Sequence, residues 1–211
     1  MSDAPSDMPP AETPTPDAPD PPALKAAARK RAFAARKAAH AEGAARRAEA
    51  AMARFLKAES PPAGTVVSGY RPIRTEIDPT PLMEALIARG HRVVVPVIEG
   101  AGLPLRFRQW WPGAEMVEGP FGAMVPAKGL WLDPEVLIAP LVAFDAGCWR
   151  LGYGGGFYDR TLARLASQRP TRAVGLAYEA QRLDAIPRDA TDRRLDAVVT
   201  EAAHHRPEGD A

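Results

Sequence analysis

The spacing of apolar and polar positions changes character near residue 60. Before that point the periodicity is helical. "ALKAAARKRAFAARKAAHAEG" (23–43) is built from strong helix formers and stops at Gly43. A second helix is predicted over about 44–59, with Met52, Phe55 and Leu56 at core-facing spacing and "SPPAG" ending it. Beyond it the apolar runs shorten and become continuous. "TVVSGY" (65–70) reads as a buried strand, and "PTPLMEALIARG" (79–90) as a helix with proline early and glycine late. Strands are predicted at "RVVVPVI" (92–98), "LPLRFRQW" (103–110) and "EVLIAPLVAF" (135–144). A helix near 156–167 follows, then strands at "RAVGLAY" (172–178) and "DAVVTEA" (196–202). Strands that are apolar throughout, alternating with helices, predict an α/β fold. Its sheet is mostly parallel with helices on both faces, preceded by a basic N-terminal helical segment. Ligands of such sheets bind outside the carboxyl ends of the strands, and the loop 145–156 lies at one of them.

Composition limits the folded unit. Residues 1–22 hold eight prolines and five acids with no base and no aromatic, so this segment is expected to be a disordered tail. Residues 23–203 form a single domain, and 204–211, including His204 and His205, are expected to be a polar, disordered tail. The start lacks the basic and apolar regions of a signal peptide, and "VLIAPLVAF" (136–144) is far short of the roughly 20 residues that span a bilayer. Cys148 is the only cysteine, which excludes an intramolecular disulfide; the residue reads as inert packing. A soluble, cytoplasmic protein is expected. The net charge of +1 hides an asymmetry: Lys25 to Lys57 carries ten Lys or Arg against two Glu. That segment reads either as a nucleic-acid arm or as two helices with solvated faces.

Candidate chemistry concentrates in "WRLGYGGGFYDR" (149–160), a glycine-rich loop between a strand and a helix. Glycines permit positive φ and close backbone approach, so successive N–H groups can cradle an anion at the positive end of the next helix. Arg150 and Arg160 add charge suited to phosphate, and Asp159 offers a hard oxygen suited to Mg²⁺. The common nucleotide signatures are absent: no G-x-x-x-x-G-K-[ST] occurs, and Phe157 breaks G-x-G-x-x-G.

"RLGYGGGFYDR" after "IAPLVAFD" closely resembles the signature of the 5-formyltetrahydrofolate cyclo-ligase family. Lys25 and Arg29 fit that family's Lys-x-x-x-Arg helix, Glu76-Ile77-Asp78 its Glu-[Ile/Val]-Asp element, and "DRRLDAVVT" (192–200) its late acidic pattern. The resemblance spans about residues 24–203. The chain departs from the pattern with Thr191 for a histidine, Phe157-Tyr158 for a Tyr-Tyr pair and Val125 for a glutamate. The resemblance implies conversion of 5-formyltetrahydrofolate to 5,10-methenyltetrahydrofolate with MgATP. Phosphorylation would turn the formyl oxygen into a leaving group before N10 closes the ring. It also implies residue roles: Lys25 and Arg29 on the ATP phosphates, and Arg150, Leu151, Gly152, Tyr153, Gly154, Gly155, Gly156, Phe157 and Tyr158 in the nucleotide loop. Asp159 and Asp192 would hold Mg²⁺. Glu76, Tyr70 and Tyr153 to Phe157 would face the folate. Lys25, Arg29, Arg150 and Asp159 are the residues expected to act in catalysis. ATP and the folate are the expected partners of a monomer, with no nucleic acid and no membrane. Two other readings remain: a different ATP- or sugar-phosphate-using α/β enzyme, and a nucleic-acid-binding protein using the basic helices.

Overall fold

The computed structural model describes residues 21–119 and 123–207. The expected acidic tail lies outside them, except that Pro21 and Pro22 already open the first helix. Helix α1 (Pro21–Ala41) and α2 (Ala44–Ala58) turn about Gly43, whose φ of 146° suits glycine. On α1 the buried positions Ala28, Ala32, Arg36 and Ala39 form one stripe, spaced by three or four residues.

After α2 come β1 (Val66–Ser68), α3 (Thr80–Ala88), β2 (Arg92–Val97) and β3 (Arg106–Gln109). A hairpin follows, β4 (Met116–Glu118) with β5 (Met124–Pro126). Then β6 (Val136–Pro140) leads to a two-stranded ribbon of β7 (Ala143–Phe144) and β8 (Arg150–Leu151). Helix α4 (Phe157–Ala166), β9 (Arg172–Leu176), a 3₁₀ turn at Glu179–Gln181, β10 (Ala197–Val199) and β11 (His204–His205) complete the chain.

The main sheet has the order β11-β10-β9-β6-β1-β2-β3. Its five central strands are parallel, and β3 and β11 are antiparallel at the edges. Alternation along the strands divides the core in two. Val67, Val93, Val95, Ile138, Val174 and Val199 meet α1, α2 and α3 through Ala39, Phe55, Met83 and Leu86. Val94, Leu137, Ala139, Ala173 and Val198 meet α4 through Leu162 and Leu165. Helices therefore cover both faces, as the pattern implied. Pro96 is tolerated in β2 because it lies two residues past the last pair with β1, at Ser68↔Val94.

Two expectations are corrected. The run 135–144 is two strands: Pro140 ends β6, and the Gln181 side-chain amide takes the carbonyls of Leu141 and Val142 at 2.8 and 3.0 Å. Chain order also hides β11, where His204 and His205 pair with β10 instead of trailing as a tail. Each is anchored by a carboxylate, His204 Nε2 at 2.7 Å from Glu59 and His205 Nε2 at 2.8 Å from Glu179.

Strand order reverses between β1 and β6, the first strand running outward to β2 and the second to β9. The crevice outside their carboxyl ends is where such a sheet accepts a ligand.

Candidate active site

Three segments converge on that crevice. The first follows β1. Tyr70 is buried and donates its hydroxyl to the Ile77 carbonyl at 2.8 Å, which folds the loop back on itself. Glu76 closes the same turn, its Oε2 accepting the Ile73 N–H at 2.9 Å. Read alone, this stretch leaves Glu76 solvated; in the structure it is only 4% exposed, because α1 and Tyr153 cover it.

The second segment is the β7–β8 ribbon with its glycine loop. Asp145 accepts the Trp149 N–H through Oδ1 and the Ile186 N–H through Oδ2, both at 3.0 Å. One carboxylate thus shapes the ribbon turn and ties it to the segment before β10. Past β8, Gly154 (φ 103°) and Gly156 (φ 63°) adopt positive-φ backbone, and Gly156 caps α4. Two guanidiniums bracket this loop. Arg29 Nε donates to the Gly152 carbonyl at 2.9 Å, and Arg160 Nη2 to the Gly155 carbonyl at 2.6 Å.

The third segment is α1. Lys25, Arg29 and Arg36, four and seven residues apart, lie along the stripe that packs inward, while Lys30, Arg31 and Lys37 remain exposed. Helix α1 thus has a solvated basic face, as one reading of the segment expected, and an inward one. Lys25 Nζ bridges Asp189 and Asp192 at 2.8 Å each. Burial pulls its pKa down, but the hydrogen bonds and charges of the two carboxylates outweigh that and raise it. Lys25 in turn holds the Asp189 carboxyl well below the usual range, helped by Thr191. Arg150 is buried and donates to Asp159 Oδ1 at 2.9 Å, and the Arg193 N–H reaches the same oxygen at 3.0 Å. That amide directly follows Asp192, the other expected metal ligand, whose own Oδ2 accepts from Lys25 and the Asp189 N–H.

At the Glu76 end, Tyr153 donates its hydroxyl to Glu76 Oε1 at 2.9 Å and accepts from Arg36 Nη1 at 2.8 Å. Burial raises the Glu76 pKa, opposed by the Ile73 N–H, Tyr153 and Arg36. Burial and the neighbouring Glu76 push the Tyr153 phenol up to about 12.

Not every expected residue faces the crevice with its side chain. Leu151 is buried among Ala28, Ala32, Val142 and Ile186, so its part in a loop is confined to its backbone. Tyr70 acts through the turn it pins. Phe157 and Tyr158 pack against the core beneath α4; Arg150 lies over the Tyr158 ring at 5.7 Å, and burial raises the phenol pKa. Val125 is buried in the β4–β5 hairpin. Arg36, Asp145 and Asp189 were missed by sequence reasoning. The spacing of Arg36 puts it on one helical stripe with Lys25 and Arg29, but only packing marks that stripe as the inward one; the roles of the two aspartates depend on contacts across the fold.

Among the described residues no three His, Cys, Asp or Glu side chains cluster so as to hold a metal by themselves. Magnesium shared with nucleotide phosphates needs only one or two carboxylates, which Asp159 and Asp192 supply in kind.

A protein-family model for 5-formyltetrahydrofolate cyclo-ligases matches residues 22–201. The chain belongs to this family. It is 39% identical over 132 residues to the 5-formyltetrahydrofolate cyclo-ligase of Escherichia coli K12, covering 59% of this chain and 71% of that protein. It is 33% identical over 147 residues to the cyclo-ligase of Mycolicibacterium smegmatis, covering 65% and 74%. The solution structure of Aquifex aeolicus 5,10-methenyltetrahydrofolate synthetase superposes with a TM-score of 0.73 at 31% identity, over 89% of this chain and 95% of that one. The Mycoplasma pneumoniae synthetase shares the fold at a TM-score of 0.66 and 23% identity, over 84% and 98%. The protein is thus an enzyme of the cyclo-ligase type. No helix among the described residues is long and apolar enough to cross a membrane.

Proposed function

We propose that the enzyme converts 5-formyltetrahydrofolate to 5,10-methenyltetrahydrofolate, using ATP and Mg²⁺ and releasing ADP and phosphate. One observation carries the reading: the inward face of α1 meets two chemically different clusters of residues, one toward each end of the helix. At one, Glu76 is a buried acceptor beneath Tyr153, suited to the N–H edge of a pterin. At the other, a glycine loop is flanked by Lys25, Arg29, Arg150 and Arg160, suited to a triphosphate.

ATP supplies the phosphoryl group that makes the formyl oxygen a leaving group. The N10 amine then bonds to the formyl carbon, and phosphate departs with that oxygen and the amine proton. The chain's share is positioning and charge compensation. Lys25 and Arg29 face the phosphates, and Arg150 orients Asp159 by direct hydrogen bonding. Asp159 and Asp192 would hold Mg²⁺, which compensates charge on the phosphates. For Lys25 to reach a phosphate it must loosen its bridge to Asp189 and Asp192. Glu76, Tyr153 and the turn pinned by Tyr70 form the folate end, with Phe157 beneath the loop.

The test is absorbance in the methenyl-folate band after mixing protein, MgATP and 5-formyltetrahydrofolate. Growth that requires all three supports the reading. No growth with folded protein would overturn it.

A further inference from the structure

The proposed chemistry leaves one buried cation without a task. Arg36 is 1% exposed, yet its guanidinium is directed at the folate end of the crevice. Nη1 donates to the Tyr153 hydroxyl at 2.8 Å and lies 3.8 Å from Glu76 Oε1, and Nε donates to Thr75 Oγ1 at 3.2 Å. The Tyr153 hydroxyl therefore has one assigned polarity, accepting from Arg36 and donating to Glu76 at 2.9 Å. The rings of Phe33 and Tyr153 pack beside the guanidinium, with centroids 5.2 and 5.6 Å from Cζ and 5.6 Å from one another. An arginine fixed on so many sides, in a helix whose other inward cations serve the opposite end, is not a solvation device.

We propose that Arg36 is a positioning residue for recognition of the substrate ring: it keeps Glu76 ionised, fixes the plane of its carboxylate, and locks Tyr153 against it. A carboxylate has about four acceptor positions. The Ile73 N–H and the Tyr153 hydroxyl take one on each oxygen, which leaves one on each for a ring edge that presents two adjacent N–H donors. A neutral carboxyl group offers a donor where an acceptor is needed and cannot make that pair. Burial drives Glu76 toward the neutral form, and Arg36 opposes it. The other titratable groups around Glu76 are phenols: Tyr70 from its own loop, Tyr153 from the glycine loop and Tyr158 from α4. None of these supplies a positive charge. The identity of the substrate rests on the cyclo-ligase reading; the Arg36–Glu76 coupling does not.

The experiment uses Arg36→Met, Arg36→Lys and the double variant Arg36→Met/Glu76→Gln in the full chain. With 5-formyltetrahydrofolate and MgATP, Arg36→Met is expected to lower kcat/KM for the folate by about 10- to 100-fold, the effect of one lost charge-assisted contact. The KM for ATP should stay near that of the wild type, and the acid limb of kcat/KM should move to higher pH. Arg36→Lys keeps the charge without the fork, so it should recover the acid limb and only part of the rate. The second arm needs no substrate. With Arg36 gone, the folded pKa of Glu76 rises further above its unfolded value. Stability of Arg36→Met should then fall, relative to wild type, as pH climbs from the unfolded carboxylate value toward the new folded one. Glu76→Gln in the same chain should abolish that slope. Superposable acid limbs and superposable stability–pH curves for Arg36→Met and wild type would overturn the proposal, as would a defect confined to the KM for ATP. A wild-type protein that forms no methenyl-folate would overturn the cyclo-ligase reading, while the substrate-free arm would still decide whether Arg36 controls Glu76.

Discussion

Asp159 accepts two hydrogen bonds through one oxygen, from buried Arg150 and from the Arg193 amide, and this shapes what its replacement should do. Asp159→Asn keeps an acceptor but removes the charge opposite Arg150, which should destabilise the fold by about 1–3 kcal/mol. If Asp159 also holds Mg²⁺, turnover should fall by about 10²–10³, the effect of one lost electrostatic element at a transferring phosphoryl group. Methenyl-folate formation and melting temperature measured on one preparation separate the two effects; a folded variant with near-normal turnover would remove Asp159 from the metal site. Lys25→Ala and Arg29→Ala should each raise the KM for ATP about tenfold to hundredfold, with less effect on the KM for folate. Equal losses for both substrates would instead point to a general collapse of the crevice. At this scale the sequence was informative where the chemistry is local. The loop from Arg150 to Asp159 was legible because its glycines and charges are contiguous. Glu76 was singled out by the resemblance alone, and its burial could not be read locally because it comes from α1, forty residues earlier in the chain, and from Tyr153. Arg36 went unnoticed because a basic helix offers many equivalent cations until packing selects one stripe.

At the scale of elements, the long periodic segments were legible and the short ribbons were not. Helices α1 to α4 and the five parallel strands follow from apolar spacing. The β4–β5 hairpin, the β7–β8 ribbon and β11 are two or three residues each, and no apolar run of their own sets them apart as it does the equally short β1 and β10. Edge strand β11 depends on side chains remote in sequence. Glu59 is drawn upward in pKa by burial, but hydrogen bonds from Arg172 and His204 outweigh this and lower it. Glu179 behaves alike, burial being outweighed by Thr200 and His205. A carboxylate with a depressed folded pKa adds stability that is present above its unfolded pKa and is lost as pH falls through the folded value. The melting temperature should therefore drop below about pH 4.5, where unfolded glutamates begin to bind protons. Glu59→Gln should weaken that dependence and lower the melting temperature at neutral pH. An acid limb unchanged in the variant would show that β11 is not held by this carboxylate.

For the whole molecule, the reversal of strand order between β1 and β6 marks where a ligand can enter; alternating strands and helices were enough to expect a ligand at the carboxyl ends of the strands, but not to say between which two. The pairing of Lys25 with Asp189 and Asp192 could not be anticipated, because it joins opposite ends of the domain. On the proposed reading, nucleotide and metal should stabilise the protein together more than separately: ATP alone meets the carboxylates, and Mg²⁺ alone competes with the Lys25 ammonium. Thermal shifts with ATP, with Mg²⁺ and with both should show this excess, and equal shifts for ATP with and without chelator would count against the metal ligands. The same helix has a further consequence, in time. Its inward cations bond to residues 117 to 167 positions later in the chain, at Tyr153, Gly152, Asp189 and Asp192. Helix α1 is made before the other elements of the domain, yet its docking surface is complete only once the last third of the chain has been made. Contacts so remote in sequence close late in folding. The crevice should thus be the final part of the molecule to mature: in refolding from denaturant, helical ellipticity should return ahead of turnover, and simultaneous recovery would mean that α1 docks with the nucleus.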